Sequence, residues 1–265
     1  MRKQRHQLRG HRILAIAVGI KLKPKFQTLW LENLHTQPSG RAFASNRSLQ
    51  CSPALMLTLH HLNNSRSQRV LWLLEELEIT YEIKKYERTV QQLAPRELLD
   101  VSPLGKSPVI TDGTVTLAES GAIIGKNFTP AEAGYLDNLY YTHYAEGSLM
   151  PILVQKIIFN AIPAQAPFFI RPLVSLIFTQ LENQLLQPEI KKHINLIEAH
   201  LSTVKAGWFA GGDHPTAADF QMAFPLEGIV SMASTLATPR MIEYVRQVQN
   251  RPAYKRVNIK IHLSP

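Results

Sequence analysis

Between Met56 and about Ser120 the apolar residues switch repeatedly between a two-residue and a helical period, and beyond that stretch only the helical period survives. Leu57 to Leu62 is a short strand-like run. Residues 65–78 place Val70, Leu73, Leu74 and Leu77 on one helix face, with Glu75, Glu76 and Glu78 elsewhere. Ile79, Tyr81 and Ile83 then alternate with polar residues up to Tyr86, as a half-buried strand does. Pro95 opens a short helix ending near Leu99. Residues 108–111 and 115–117, joined by Asp112-Gly113, read as a hairpin, and a further helix starts near Glu119. The order β-α-β-α-β-β-α predicts a compact α/β unit.

A new helix is expected at Thr129, which can cap, with Pro130 suited to the first turn and Glu132 completing a capping box. Helical patterns follow over residues 135–159, 169–186, 189–204, 217–232 and 239–246, with no convincing strand among them. The chain therefore divides into residues 1–55, an α/β domain at 56–128 and an all-helical domain at 129–265. No apolar run reaches the roughly 18 residues of a membrane span, and the longest candidate is 163–181. Pro167, Arg171 and Pro172 interrupt it, so it is expected to be buried or to line a groove.

The net charge of +9 suggests nucleic acid until it is located. Residues 1–55 hold ten Lys and Arg against one acidic residue, Glu32; the rest of the chain holds 19 of each sign. The body of the protein thus has no electrostatic reason to bind nucleic acid or anionic lipid. The first 55 residues have the composition of a transit peptide, with a short apolar run from Ile13 to Ile20, or of an upstream extension that does not fold. Cys51 is the single cysteine, which leaves no disulfide framework and no thiolate zinc site, and the histidines show no metal-binding spacing.

Four places carry chemistry. Ser65 lies at the junction of the first strand and helix, where a hydroxyl and the helix dipole both favour a bound thiolate. The bland reading is a capping box made by Ser65 and Gln68. Asn64 and Ser67 are neighbouring alternatives. Ser107-Pro108-Val109 opens the third strand; with Pro108 cis, the Val109 backbone would be open to pair with an extended peptide, whereas a proline that simply starts a strand needs no ligand. Glu119 and Ser120 begin a helix able to hold a carboxylate and an ammonium group, although such a pair is common at helix starts. Thr216 and Asp219 form a capping box that initiates a buried helix.

Together Ser107 to Ile110, Ala118 to Ile123 and Pro215 to Phe220 resemble the cytosolic glutathione transferase superfamily, over essentially Met56 to Tyr254. Ser65 to Leu77 and Tyr144 to Pro151 resemble a fungal and bacterial subgroup that includes a membrane-associated yeast enzyme. The resemblance implies a thioredoxin-like glutathione-binding domain followed by a helical bundle. It implies Ser65 as the thiolate-stabilising residue and Pro108 as a cis-proline. It further implies Val109 as backbone partner of the glutathione cysteinyl unit, Glu119 and Ser120 as the γ-glutamyl clamp, and Lys106 for the glycine carboxylate. Arg69 faces the same junction or is a solvated helix residue.

The activity implied is transfer of glutathione to apolar electrophiles, with peroxidase activity on organic hydroperoxides as a side reaction. The alternative is a non-catalytic glutathione-binding or interaction module. The absence of cysteine after Cys51 disfavours the cysteine-type members. A homodimer without metal, peripheral membrane association and a cytoplasmic location are further expectations. Association with the endoplasmic reticulum, or mitochondrial import through residues 1–55, are the alternative locations. One departure stands out: only nine residues, Gly121 to Thr129, separate Ser120 from the next helix, and Gly125 weakens the third helix.

Overall fold

The computed structural model describes residues 56–125, 130 and 132–263. The α/β unit contains β1 (Leu57–Leu62), α1 (Ser67–Glu76), β2 (Tyr81–Tyr86), α2 (Arg96–Leu99), β3 (Val109–Asp112), β4 (Val115–Ala118) and α3 (Ser120–Ile124). Its sheet runs β2-β1-β3-β4, with β1 parallel to β2 and the other neighbours antiparallel. This is the thioredoxin-like arrangement expected from the sequence. Leu57 and Leu59 face the main core beneath α1, whereas Leu62 joins Tyr86 and Leu98 in a small cluster of their own.

The helical unit follows as α4 (Tyr135–Tyr144), α5 (Met150–Gln165), α6 (Arg171–Leu181), α7 (Gln187–Thr203), α8 (Ala217–Met232), α9 (Pro239–Asn250) and α10 (Pro252–Leu263). Wider π-helical turns at Ala145–Leu149 and Glu182–Leu186 join α4 to α5 and α6 to α7 without a break. The patterns at 169–186 and 189–204 are therefore one continuous helical run. Pro188 falls in the first turn of α7 and leaves that run unbroken. Thr129 lies outside the described residues; Glu132–Gly134 is a 3-10 turn and the α-helix begins at Tyr135. Gly134 permits this entry, because a Cβ there would sit 2.2 Å from the Ala210 carbonyl oxygen.

The two units share one core. Trp72 of α1 packs on Phe220 of α8 and edge-on to Tyr254 of α10, with ring centroids 4.5 and 5.6 Å apart. Consequently α1 is covered on more than the apolar face its sequence advertises. Arg69 and Glu75 are also buried, Glu75 through ion pairs with Arg256 and Lys260.

Residues 163–181 differ from expectation. No residue of α6 is buried, and Phe168 and Phe169 at the α5–α6 turn are 82% and 71% exposed. The hairpin is held by Phe159 against Phe178 and by the ion pair of Lys156 with Glu182, while its outer side chains meet no other part of the described chain closely enough to be covered. Apolarity in a sequence signals a need for cover without saying what supplies it.

Candidate functional site

β1 ends at Leu62 and the chain turns through Asn64, which has a φ of 50°, to bring Ser65 beside the start of α1. Ser65 is half-buried, Asn64 exposed and Ser67 fully buried. The Ser65–Gln68 capping box does not form. Arg66 precedes the helix, and the Gln68 amide donates instead to the Tyr254 hydroxyl at 2.6 Å. Long-range contact with α10 wins over the local cap.

The Ser107–Pro108 bond is cis. Ser107 sits against the end of β1, its hydroxyl donating to the His60 carbonyl at 2.7 Å and accepting the Leu62 N–H at 3.2 Å. Ser65 donates to Ser107 at 3.3 Å. The expectation for Val109 needs correction. Val109 has no exposed surface and is paired on both flanks, with His60 of β1 and Ala118 of β4, so its backbone is not open to a ligand. The open position is Ser107, just before Pro108, of which no backbone hydrogen bond occurs among the described residues. The signal available in the sequence was the cis-proline motif itself, since a strand that starts after the proline leaves the residue before it beyond the ladder.

Glu119 is exposed and adopts a φ of 72°, a left-handed conformation that costs a non-glycine residue about 1–3 kcal/mol. It delivers Ser120, buried at the first turn of α3, to the Arg69 guanidinium at 3.4 Å. Arg69 is fully buried rather than solvated. Its Nη1 also bonds Glu146, in the π-helical turn after α4, and Gln221 of α8, while Phe224 lies against the guanidinium at 5.1 Å. Burial pushes its pKa down to about 10, and Glu146 opposes that shift. Arg66 reaches the same Glu146 at 2.8 Å. Arg66, next to Ser65 in the chain, and Arg69, which bonds Ser120, thus share one acidic residue of the helical unit.

Glu146 was missed as a site residue. Its position four residues before Met150 in Tyr144–Pro151 was visible, but the two arginines it neutralises lie some 80 positions earlier. Lys106 is exposed and anchored by its backbone N–H to the Ser102 hydroxyl at 3.3 Å. Thr216 and Asp219 start α8 as expected, with the Thr216 N–H and hydroxyl donating to Asp219 at 2.7 and 3.0 Å. A separate cleft of about 490 Å³ lies over β1 and β2, lined by Thr58, His60, Glu82, Ile83, Lys84 and Thr111, and includes none of these residues.

Residues 54–125 match the family described as glutathione S-transferase, N-terminal domain. The chain is 36% identical over 209 residues to glutathione S-transferase 3 of Schizosaccharomyces pombe, covering 75% of this chain and 85% of that protein. It is 32% identical to glutathione S-transferase 1 of Saccharomyces cerevisiae, covering 65% of this chain and 80% of that one. A solved glutathione S-transferase from Actinobacillus pleuropneumoniae, 29% identical, superposes with a TM-score of 0.58 over 77% of this chain and 92% of its own. With its fold, its cis-proline strand and these relatives in agreement, the chain belongs to the glutathione S-transferase family.

Proposed function

We propose that this chain binds glutathione along the Ser107 edge, activates its thiol with the Ser65 hydroxyl and transfers the sulfur to an apolar electrophile. The observation that carries the reading is the half-buried Ser65 hydroxyl beside the unpaired backbone of Ser107. An extended peptide laid there pairs its cysteinyl unit with the Ser107 N–H and C=O, the role first expected of Val109. Glu119 and Ser120 then receive the α-amino acid end, and the Lys106 ammonium the glycine carboxylate. The thiol releases its proton to solvent. The thiolate attacks carbon, the C–S bond forms, and with an aryl halide the halide leaves. With an organic hydroperoxide the same thiolate attacks the terminal oxygen, the O–O bond breaks and the alcohol leaves; a second glutathione thiol then displaces water from the resulting sulfenic acid to give the disulfide.

Ser65→Ala tests the proposal. A charge-assisted hydrogen bond contributes roughly 1.5–3 kcal/mol, and about 1.4 kcal/mol is a decade, so turnover should fall on the order of 10–100-fold. The thiol pKa of bound glutathione, followed by thiolate absorbance, should rise while affinity changes little. An unchanged pKa in the variant would reject Ser65 as the donor.

A second reading, a glutathione-binding module without catalysis, is favoured by one observation: α3 is only five residues long and ends at Gly125. A module of that kind binds immobilised glutathione yet turns over neither an aryl halide nor a hydroperoxide. We also propose a homodimer, to be read from the mass in solution, and peripheral membrane contact through the uncovered α5–α6 hairpin.

A further inference from the structure

A serine hydroxyl carries one proton and so donates one hydrogen bond, while a carbonyl only accepts. Four short contacts make these rules decisive beside Ser65. His61 Nδ1 lies 2.6 Å from Ser67 Oγ, which lies 2.7 Å from Ser65 Oγ. Ser65 Oγ lies 3.3 Å from Ser107 Oγ, which lies 2.7 Å from the His60 carbonyl oxygen. The Ser107 proton must go to that carbonyl, so Ser65 is the donor to Ser107. The Ser65 proton is then committed, which makes Ser67 the donor to Ser65. The Ser67 proton is committed in turn, and His61 must donate to Ser67 from Nδ1.

We infer that His61, carrying a proton on Nδ1, and Ser67 are positioning residues that hold the Ser65 proton turned outward, toward the glutathione sulfur. The inference rests on the reading of Ser65 proposed above. His61 and Ser67 are buried, which keeps bulk water from competing for these contacts. The Ser65 oxygen receives the Ser67 hydroxyl proton and, at 3.4 Å, the Ser67 N–H. Donors on an oxygen polarise its own O–H and strengthen the bond it gives. The Ser65–Ser107 contact is the longest of the four, so a thiolate replaces Ser107 as the acceptor at least cost. With Nδ1 unprotonated the links from His61 to Ser65 reverse: Ser67 donates to His61, Ser65 donates to Ser67, and no proton remains for sulfur.

Two measurements on the full chain test this. Nitrogen NMR of His61 reports the proton directly; a proton on Nδ1 is expected, and an unprotonated Nδ1 overturns the inference whatever Ser65 does. Second, the thiol pKa of bound glutathione is compared in Ser65→Ala, Ser67→Ala, His61→Phe and His61→Gln. Ser67→Ala and His61→Phe should raise it by a part of the Ser65→Ala rise, up to about one pH unit or tenfold less thiolate. His61→Gln, which keeps an N–H donor, should return toward wild type. A rise in Ser65→Ala with none in Ser67→Ala and His61→Phe overturns the relay and leaves the Ser65 reading standing. No rise even in Ser65→Ala removes both.

Discussion

Asp219 concentrates more hydrogen bonds than any neighbouring carboxylate on α8. It is fully buried and accepts from the Phe209 N–H at 3.0 Å, the Thr216 N–H at 2.7 Å and the Thr216 hydroxyl at 3.0 Å, with the Tyr244 hydroxyl at 3.3 Å. Burial pushes its pKa up to about 6, and these donors offset part of the rise. Because the folded value lies above the ordinary 3.8, the folded state holds a proton that the unfolded chain has released between those two pH values. The stabilising contribution of this group is therefore complete below about pH 4 and is lost as pH rises to about 6. A carboxyl NMR titration of Asp219 should show its midpoint near the upper value. Asp219→Ala leaves two buried backbone N–H groups unpaired at about 1–3 kcal/mol each, so denaturant melts should show a loss of at least about 2 kcal/mol.

Among the elements, α10 and the α5–α6 hairpin show opposite relations to the rest of the molecule. The sequence pattern places the last helix at residues 239–246, yet α9 continues to Asn250 and α10 runs on to Leu263. Pro252 in the first turn, with Ala253, Tyr254 and Val257 buried on one face, was the available signal. That helix clamps α1, with Arg256 and Lys260 on Glu75 and Arg251, just before it, on Glu76. The hairpin is anchored at its base by Ile152, Leu153 and Phe159 against the main core, while among the described residues nothing covers its outer face. Lys156 is paired with Glu182, so the outer face of the hairpin, with Phe168, Phe169, Leu173 and Leu176 exposed, is apolar rather than charged and suits a lipid interface. A chain starting at Met56, which lacks the basic extension, should sediment with phospholipid vesicles, and Phe168→Glu with Phe169→Glu should abolish sedimentation while glutathione binding persists. Retention of vesicle binding in that double variant would rule the hairpin out as the contact.

For the whole molecule, charge separates the chain more sharply than any boundary in its pattern. The excess of positive charge belongs to residues 1–55, and the remainder is neutral. The strand that begins at Leu57 is interior to the sheet, flanked by β2 and β3, so the folded unit needs nothing upstream to complete that ladder. A chain starting at Met56 should therefore bind immobilised glutathione as the full chain does. Failure of the shortened chain to bind would show that the extension contributes to the site.

The order of strands and helices, the hairpin turn at Asp112-Gly113 and the Thr216–Asp219 cap were all legible in the sequence. Each depends on neighbours within a few residues, where period and capping chemistry act directly. Tertiary structure alone decided that Arg69 is buried rather than solvated, and that Gln68 serves Tyr254 rather than a cap at Ser65. It also decided that Ser107, not Val109, presents the unpaired backbone, because β1 and β4 close on both sides of Val109. The deciding partners lie from nine to nearly two hundred positions away, beyond the reach of a local pattern. A local pattern specifies which groups must be satisfied, and packing alone specifies which distant group satisfies them.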